Sequence, residues 1–186
     1  MSAFHLRAQA YNNAWANHRL LGACAQLSAA ELAAERSGFF PSIIHTLNHI
    51  LTVDWFYVGA LEGRCPGHAV FAQEIPCPDF SDLDREQRAV DRRLLQHCIA
   101  LSDDGLAEVA DLLRDGWVQR ERRDRILMHL FQHQIHHRGQ VHAMLSGTSV
   151  PPPQLDEFFL GHAGERGLRA ADFAALGFDE EEIWGR

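Results

Sequence analysis

The sequence predicts an all-α protein folded as a four-helix bundle. Four long segments repeat apolar side chains at intervals of three and four residues, which is the pattern of amphipathic helices. Only one short stretch, within residues 107–122, suggests strands instead. The 186 residues are 46% hydrophobic and 23% charged, which is ordinary for a single globular domain with its own core. Long amphipathic helices in a chain of this length pack most simply as a bundle.

The first half of the chain contains two of these helices. The first is expected over residues 2–27, where Ser2 can cap its N-terminus. A connector with a short helical turn follows, and Pro41 is then placed to open the second helix, because proline is well tolerated in a first turn. The second helix, 41–62, is apolar around most of its circumference, which predicts that neighbouring helices surround it.

The second half begins with a long loop, 63–80, which contains three prolines and little periodicity. Loops of this length often border functional sites. The third helix is expected over 81–103. Two short segments, 107–113 and 117–122, flank an Arg-Asp-Gly turn and predict a β-hairpin, although the first of them would also fit a helical turn. The fourth helix is expected over 123–147.

The end of the chain is expected to be an appendage to the bundle. Three consecutive prolines at 151–153 force an extended exit from the fourth helix. We therefore assign residues 1–162 to the bundle domain and residues 163–186 to a C-terminal helical appendage with an acidic end.

Charge and composition exclude several classes of function. The formal net charge is −8 and the isoelectric point is about 5.8, which disfavours nucleic acids and anionic membranes as partners because both require a basic face. No export signal and no membrane helix are recognisable, so the cytoplasm is the expected compartment. The four cysteines form no CxxC pair and are expected to be free thiols; they are Cys24, Cys65, Cys77 and Cys98.

Histidines concentrate in the fourth predicted helix. Five of the twelve histidines lie there: His129, His133, His136, His137 and His142. On a helix, His133 and His137 fall on the apolar face one turn apart, so both imidazoles can reach one point. A pair with this spacing is typical of helical metal sites.

The second predicted helix offers a complementary pair, His45 and His49, at the same spacing. Inward-facing side chains on facing helices are how bundle metal sites are built. Three histidines would leave an open, catalytic position, whereas four would close the site as a structural one. The pattern alone leaves both arrangements open. Gly139 lies inside the fourth helix, where glycine is less stable than alanine. Either another group packs too closely there for a side chain, or the helix simply tolerates the glycine.

Three stretches of the chain together resemble the DinB family of the DinB/YfiT-like superfamily. They are "NHILTVDWFYVGALEG" (48–63), "HLFQHQIHHRGQVHAML" (129–145) and "PPPQLDEFFL" (151–160). The resemblance covers roughly residues 4–160. It implies a four-helix bundle with an up-down-down-up course, frequent homodimers, and a divalent metal, commonly zinc or nickel, held by three histidines.

The resemblance also implies which residues form the site. The ligands would be His49, His133 and His137. Apart from the resemblance, Asp54, His136 and His142 are candidates for acid–base chemistry. Asp54 could instead orient a ligand imidazole or pair with Arg138, and we favour these structural roles. Three further residues would orient a ligand or pack behind it: His45, Arg138 and Gln140.

Three functions remain as expectations. Characterised relatives include S-transferases that depend on a low-molecular-weight thiol, so the first is a metal-dependent transferase that activates such a thiol. The second is a hydrolase that activates water, although Gln134 stands where a helical zinc protease would carry its basic glutamate. The third is a non-catalytic metal-binding stress protein. The resemblance favours a homodimer, and we expect its contact through the first two helices. The small-molecule substrate is not predicted.

Overall fold

Four long helices form the body of the protein, and the predicted fold class is confirmed. The computed structural model describes residues 2–184. The helices are α1 (Ala3–Cys24), α2 (Ala29–Ala33), α3 (Ile43–Leu61), α4 (Phe80–Ala100), α5 (Arg123–Leu145), α6 (Ala163–Leu176) and α7 (Glu180–Trp184), with 3₁₀ turns at His68–Phe71 and Asp104–Ala107. The strands are β1 (Val109–Leu113) and β2 (Val118–Arg122).

The four long helices are arranged so that α1 and α3 lie at opposite corners of the bundle. Each of these two helices packs against both α4 and α5. The core between them is filled by side chains with almost no exposure, among them Trp15, Leu51, Phe56, Leu94 and Leu130. The contact between α3 and α5 matters most for function, because it joins the two histidine-bearing helices.

Helix α3 begins slightly later than the sequence predicts. Ser42 is the N-cap, and its hydroxyl accepts a hydrogen bond from the amide of His45. Pro41 precedes the cap instead of opening the helix, because the serine oxygen satisfies an amide that would otherwise have no partner.

Helix α3 is buried by its neighbours, as its apolar circumference predicts. Fifteen of its nineteen residues are buried, and the other four, His45, His49, Trp55 and Tyr57, are half-buried. The helix therefore offers little free apolar surface.

The hairpin lies where the sequence predicts it, between the third and fourth long helices. Its strands pair antiparallel, with Val109 opposite Arg122 and Leu113 opposite Val118. Gly116 adopts a φ of 75° in the connecting turn, which only glycine adopts readily. The first strand starts at Val109 instead of residue 107 because the preceding residues form a 3₁₀ turn.

The C-terminal segment folds back onto α1. Asp172 of α6 accepts hydrogen bonds from the Trp15 indole and the Arg19 guanidinium of α1. Phe173 and Ile183 are buried within the common hydrophobic core. The segment 163–184 thus contains two helices, α6 and α7, and both pack directly on α1. Among the helices of residues 2–184, none has the length and apolar character needed to cross a membrane.

Gly139 provides a test of the bundle's packing. A Cβ atom added at Gly139 would meet nothing within 4 Å, so the residue is tolerated and is not required by a close approach. Gly139→Ala is expected to raise the free energy of unfolding by about 0.5–1 kcal/mol, because alanine favours the helix. Urea unfolding measures this change.

The matched control is Gly59→Ala in α3. Its Cβ would lie 2.9 Å from the Pro66 Cδ and 3.0 Å from the Arg64 carbonyl oxygen, so this substitution should destabilise the protein. Destabilisation by Gly139→Ala would show that something approaches that position closely.

Candidate metal centre

The packing of α3 on α5 brings His49, His133 and His137 together. One ring nitrogen from each lies within 4.8 Å of the other two. The Nε2 atoms of His49 and His133 are 3.0 Å apart, and the ring of His137 is centred 4.6 Å and 4.4 Å from the rings of His49 and His133. The three predicted ligands therefore converge, although His49 is far in the chain from the other two.

The surroundings keep these imidazoles in their neutral form. Burial, followed by the neighbouring His137 and His49, lowers the pKa of His133 to about 3. Burial and the neighbouring His137 lower the pKa of His49 to about 4. Burial also lowers the pKa of His137. Neutral imidazole is the form of histidine that binds metal ions.

Gln140 orients one of the three rings. The Nδ1 atom of His137 lies 2.8 Å from the Gln140 Oε1. Because an amide oxygen only accepts, Nδ1 carries the proton and Nε2 keeps a free lone pair. The amide nitrogen of Gln140 is in turn 3.1 Å from the His136 Nε2. Such an outer partner fixes both the tautomer and the direction of a metal-binding histidine.

The cluster fits a divalent cation. The Nε2 atoms of His49 and His133 face each other at 3.0 Å, yet two neutral imidazoles can share at most one proton there. A cation bound by the three nitrogens would satisfy lone pairs that otherwise oppose one another, and three imidazoles suit zinc, nickel, copper and iron alike.

A cavity of about 450 Å³ opens directly above the cluster. The three candidate ligands form part of its surface. The remaining wall combines aromatic, aliphatic and imidazole side chains, namely Phe39, Val53, Tyr57, Phe71, His129 and His136. Phe71 belongs to the 63–80 segment, so the predicted long loop does border the site, with a 3₁₀ turn of its own.

Asp54 lies beneath the cluster and points into the bundle core. It is 1% exposed, and its Oδ2 accepts hydrogen bonds from the amides of Gln87 (2.7 Å) and Gln134. Burial, followed by the nearby Asp91, raises the pKa of Asp54 to about 7. It neither lines the cavity nor bonds a candidate ligand, so its predicted role as a base beside the metal is not supported by its position.

Arg138 also belongs to the core and not to the cavity. It is 4% exposed and donates hydrogen bonds to the side-chain oxygens of Asn13, Asn17 and Gln134. The expected direct pairing with Asp54 is replaced by these amides. We call this set of buried side chains the polar layer: Asn13, Asn17, Asp54, Gln87, Asp91, Gln134 and Arg138.

The remaining predicted site residues, His136, His45 and His142, lie in three different surroundings. His136 lines the cavity. His45 lies outside the three-histidine cluster, with its Nε2 3.6 Å from the Glu74 carboxylate. His142 is bonded to the carbonyl oxygen of Pro153, at 2.9 Å, and is not among the residues that line the cavity.

Sequence reasoning missed the aromatic side chains around the cluster. The ring of Phe40 is centred 4.4 Å from that of His49 and 5.8 Å from that of His137, and it also stacks on His45 at 4.8 Å. Phe39 and Tyr57 lie on the cavity wall. The adjacent phenylalanines in the connector before α3 were the available signal.

Comparison with known proteins identifies the family of this chain. The profile of the DinB family matches residues 1–167. The chain belongs to the DinB family. Its relatives include YizA of Bacillus subtilis (strain 168), which is 30% identical over 132 residues, or 69% of this chain and 79% of YizA. YizA is described as uncharacterized.

A solved structure shares the DinB fold of this chain. The crystal structure of a DinB-like protein from Bacillus cereus ATCC 10987 superposes with a TM-score of 0.58 at 17% sequence identity, covering 75% of this chain and 90% of that one. At this identity the likeness shows the fold alone. The activity of this DinB-family chain must therefore be argued from its own residues.

Proposed function

We propose that this DinB-family chain binds one divalent metal ion, zinc or nickel, through His49, His133 and His137 and transfers a small thiol to an electrophilic substrate. When bound, such an ion stabilises a thiol as its nucleophilic thiolate at neutral pH. The observation that carries the proposal is the convergence of three neutral imidazoles at the base of an open cavity. Three protein ligands leave a coordination position free.

The cavity wall supports thiol activation over water activation. None of its nine lining residues, all within the described range 2–184, carries a carboxylate. A metal-dependent hydrolase usually positions a carboxylate beside the bound water. Here Gln134 follows His133, and its amide is occupied by Asp54 in the core.

The transfer itself requires a proton acceptor and a leaving group. The thiol sulfur forms a bond to an electrophilic carbon of the second substrate, and the leaving group departs with its bonding electrons. The thiol proton passes to an imidazole on the cavity wall. His129 and His136 line the cavity and are placed for this step.

A metal-dependent hydrolase is the second candidate, and the same two imidazoles favour it, since histidine is the commonest general base. A purely structural metal site is less well supported. It would need a fourth ligand, and the expected one, His45, is directed to Glu74 instead.

Cobalt(II) substitution separates these functions. Cobalt-loaded protein titrated with 2-mercaptoethanol should develop a saturable sulfur-to-metal absorption band, and the His133→Ala variant should show none. Absence of the band, combined with hydrolysis of an activated ester by the cobalt-loaded protein, would instead establish the hydrolase.

Gln140→Leu is expected to weaken zinc affinity by about 10- to 100-fold, the usual cost of losing a partner that orients a metal-binding histidine. The bond from His137 Nδ1 to Gln140 is the reason, because leucine leaves this ring free to rotate. Competition with a chelating indicator measures the affinity. Gln132→Leu is the matched control, since Gln132 is exposed on the same helix; an equal effect of both substitutions would contradict the assigned role.

A further inference from the structure

Phe39 is the most exposed large hydrophobic side chain described in residues 2–184. Its exposed fraction is 79%. A single exposed phenylalanine on a surface needs no explanation. This one, however, forms part of the wall of the cavity above the three histidines. A ligand that covers its apolar surface there removes that surface from water, which favours binding.

The segment that carries Phe39 is held in place. The amide of Arg36 donates a hydrogen bond to the Pro41 carbonyl oxygen at 2.8 Å, which closes a short loop around Phe39 and Phe40. Gly38 packs closely against Met144, since an added Cβ there would lie 2.5 Å from the methionine Cε. The rings of Phe39 and Phe40 meet edge to face, with centroids 4.9 Å apart.

Phe40 in turn fixes the loop to the site. Its ring lies over His49 and His45 at centroid distances of 4.4 Å and 4.8 Å. The exposed ring of Phe39 is therefore presented beside the candidate ligands by a continuous set of aromatic contacts. Its position is set by packing, not by chance orientation of a surface side chain.

The rest of the wall has matching chemistry. Val53, Tyr57 and Phe71 supply aliphatic and aromatic surface. Among the nine lining residues there is no arginine, lysine, aspartate or glutamate, so no permanent charge on the wall is available to pair with a charged ligand. A volume of about 450 Å³ falls within the usual range for small-molecule sites, about 300–1,000 Å³.

We infer that the substrate carries an uncharged aromatic group, which packs against Phe39 in this cavity and places its reacting atom toward the three histidines. Phe39 is thus the residue that selects the substrate. This inference rests on the proposed function, because the aromatic compound is taken to be the substrate of that reaction. The binding of the aromatic group itself depends on the cavity wall and not on a metal.

Fluorescence titration with N-phenyl-1-naphthylamine, an uncharged aromatic probe, tests the inference on chelator-treated, metal-free protein. We expect saturable binding at one site. Phe39→Ala should raise the Kd by about five- to tenfold, as expected for loss of an aromatic contact, whereas Phe39→Trp should retain the affinity. Phe159→Ala is the matched control, because Phe159 is 44% exposed and is not among the cavity-lining residues.

Several results would overturn the inference. They are absence of saturable binding, equal affinity of the parent and Phe39→Ala, or an equal loss in Phe159→Ala. The anionic analogue 8-anilino-1-naphthalenesulfonate has the same rings. If this analogue bound more tightly than the uncharged probe, the inference would also be overturned.

The two proposals fail separately. Probe binding through Phe39 in a protein that takes up no zinc or nickel would overturn the proposed function and support the aromatic site. Metal uptake through the histidines without probe binding would overturn the aromatic site alone.

Discussion

Replacement of His133 by alanine is expected to abolish tight binding of zinc or nickel. His133 lies close to both other candidate ligands, with its Nε2 3.0 Å from that of His49 and its ring centred 4.4 Å from that of His137. Two imidazoles alone bind these metals weakly. The metal affinity should fall by more than about 100-fold, because loss of a side chain that only orients a ligand already lowers the affinity by about 10- to 100-fold.

His129→Ala is the matched control for this experiment. His129 lines the same cavity one helical turn before His133, yet it is not a member of the three-histidine cluster. Chelator competition should find its metal affinity close to that of the parent. Tight binding retained by His133→Ala, or an equal loss in His129→Ala, would contradict the assigned ligand set.

Arg138→Met is expected to cause the largest loss of stability. Arg138 is the only cation of the polar layer, where burial raises the pKa of Asp54 to about 7 and that of Asp91 to about 6. Its removal leaves the side-chain oxygens of Asn13 and Asn17 without this donor and takes away a positive charge that favours the ionised forms of Asp54 and Asp91. Breaking a buried charge network in this way costs about 3–5 kcal/mol.

Arg93→Met provides the comparison. Arg93 is exposed and pairs with the half-buried Glu62 at 2.7 Å, and an ion pair at the protein surface contributes about 0–1 kcal/mol. Urea unfolding of both variants at neutral pH measures the difference. Similar losses in the two variants would contradict the account of the polar layer. Adding Asp54→Asn and Asp91→Asn to Arg138→Met should restore part of the lost stability, because the unpaired charges are then removed.

The helices and the face of α5 could be predicted from the sequence because both follow from local spacing. Steps of three and four residues placed His133 and His137 on one inward face of the helix, where His137 is buried and His133 is half-buried. The choice between His45 and His49 could not be made in this way. It depends on the axial offset of α3 against α5, which packing sets and which no pattern within either helix contains.

The polar layer left a signal that was not recognised. Each of three helices carries a polar pair four residues apart: Asn13 and Asn17, Gln87 and Asp91, Gln134 and Arg138. Polar side chains at this spacing usually mark a solvent face. Here they meet one another in the core, and only the assembly of all four helices makes their burial possible.

The aromatic side chains of the cavity wall could not be predicted from the sequence for a different reason. Phe39 and Phe40 stand in a connector too short to show periodicity. The ring of Phe40 contacts His49 of α3 and His137 of α5, and the ring of Phe39 contacts Phe40. Only the closed loop between Arg36 and Pro41 directs these rings to the histidines.

The central claim is that the three histidines form a metal site, and elemental analysis of protein purified without a metal-affinity column tests it most directly. The account predicts about one equivalent of zinc or nickel per chain, lost in both His133→Ala and His137→Ala. A parent protein that holds no metal, even after incubation with zinc or nickel and removal of the excess, would contradict it.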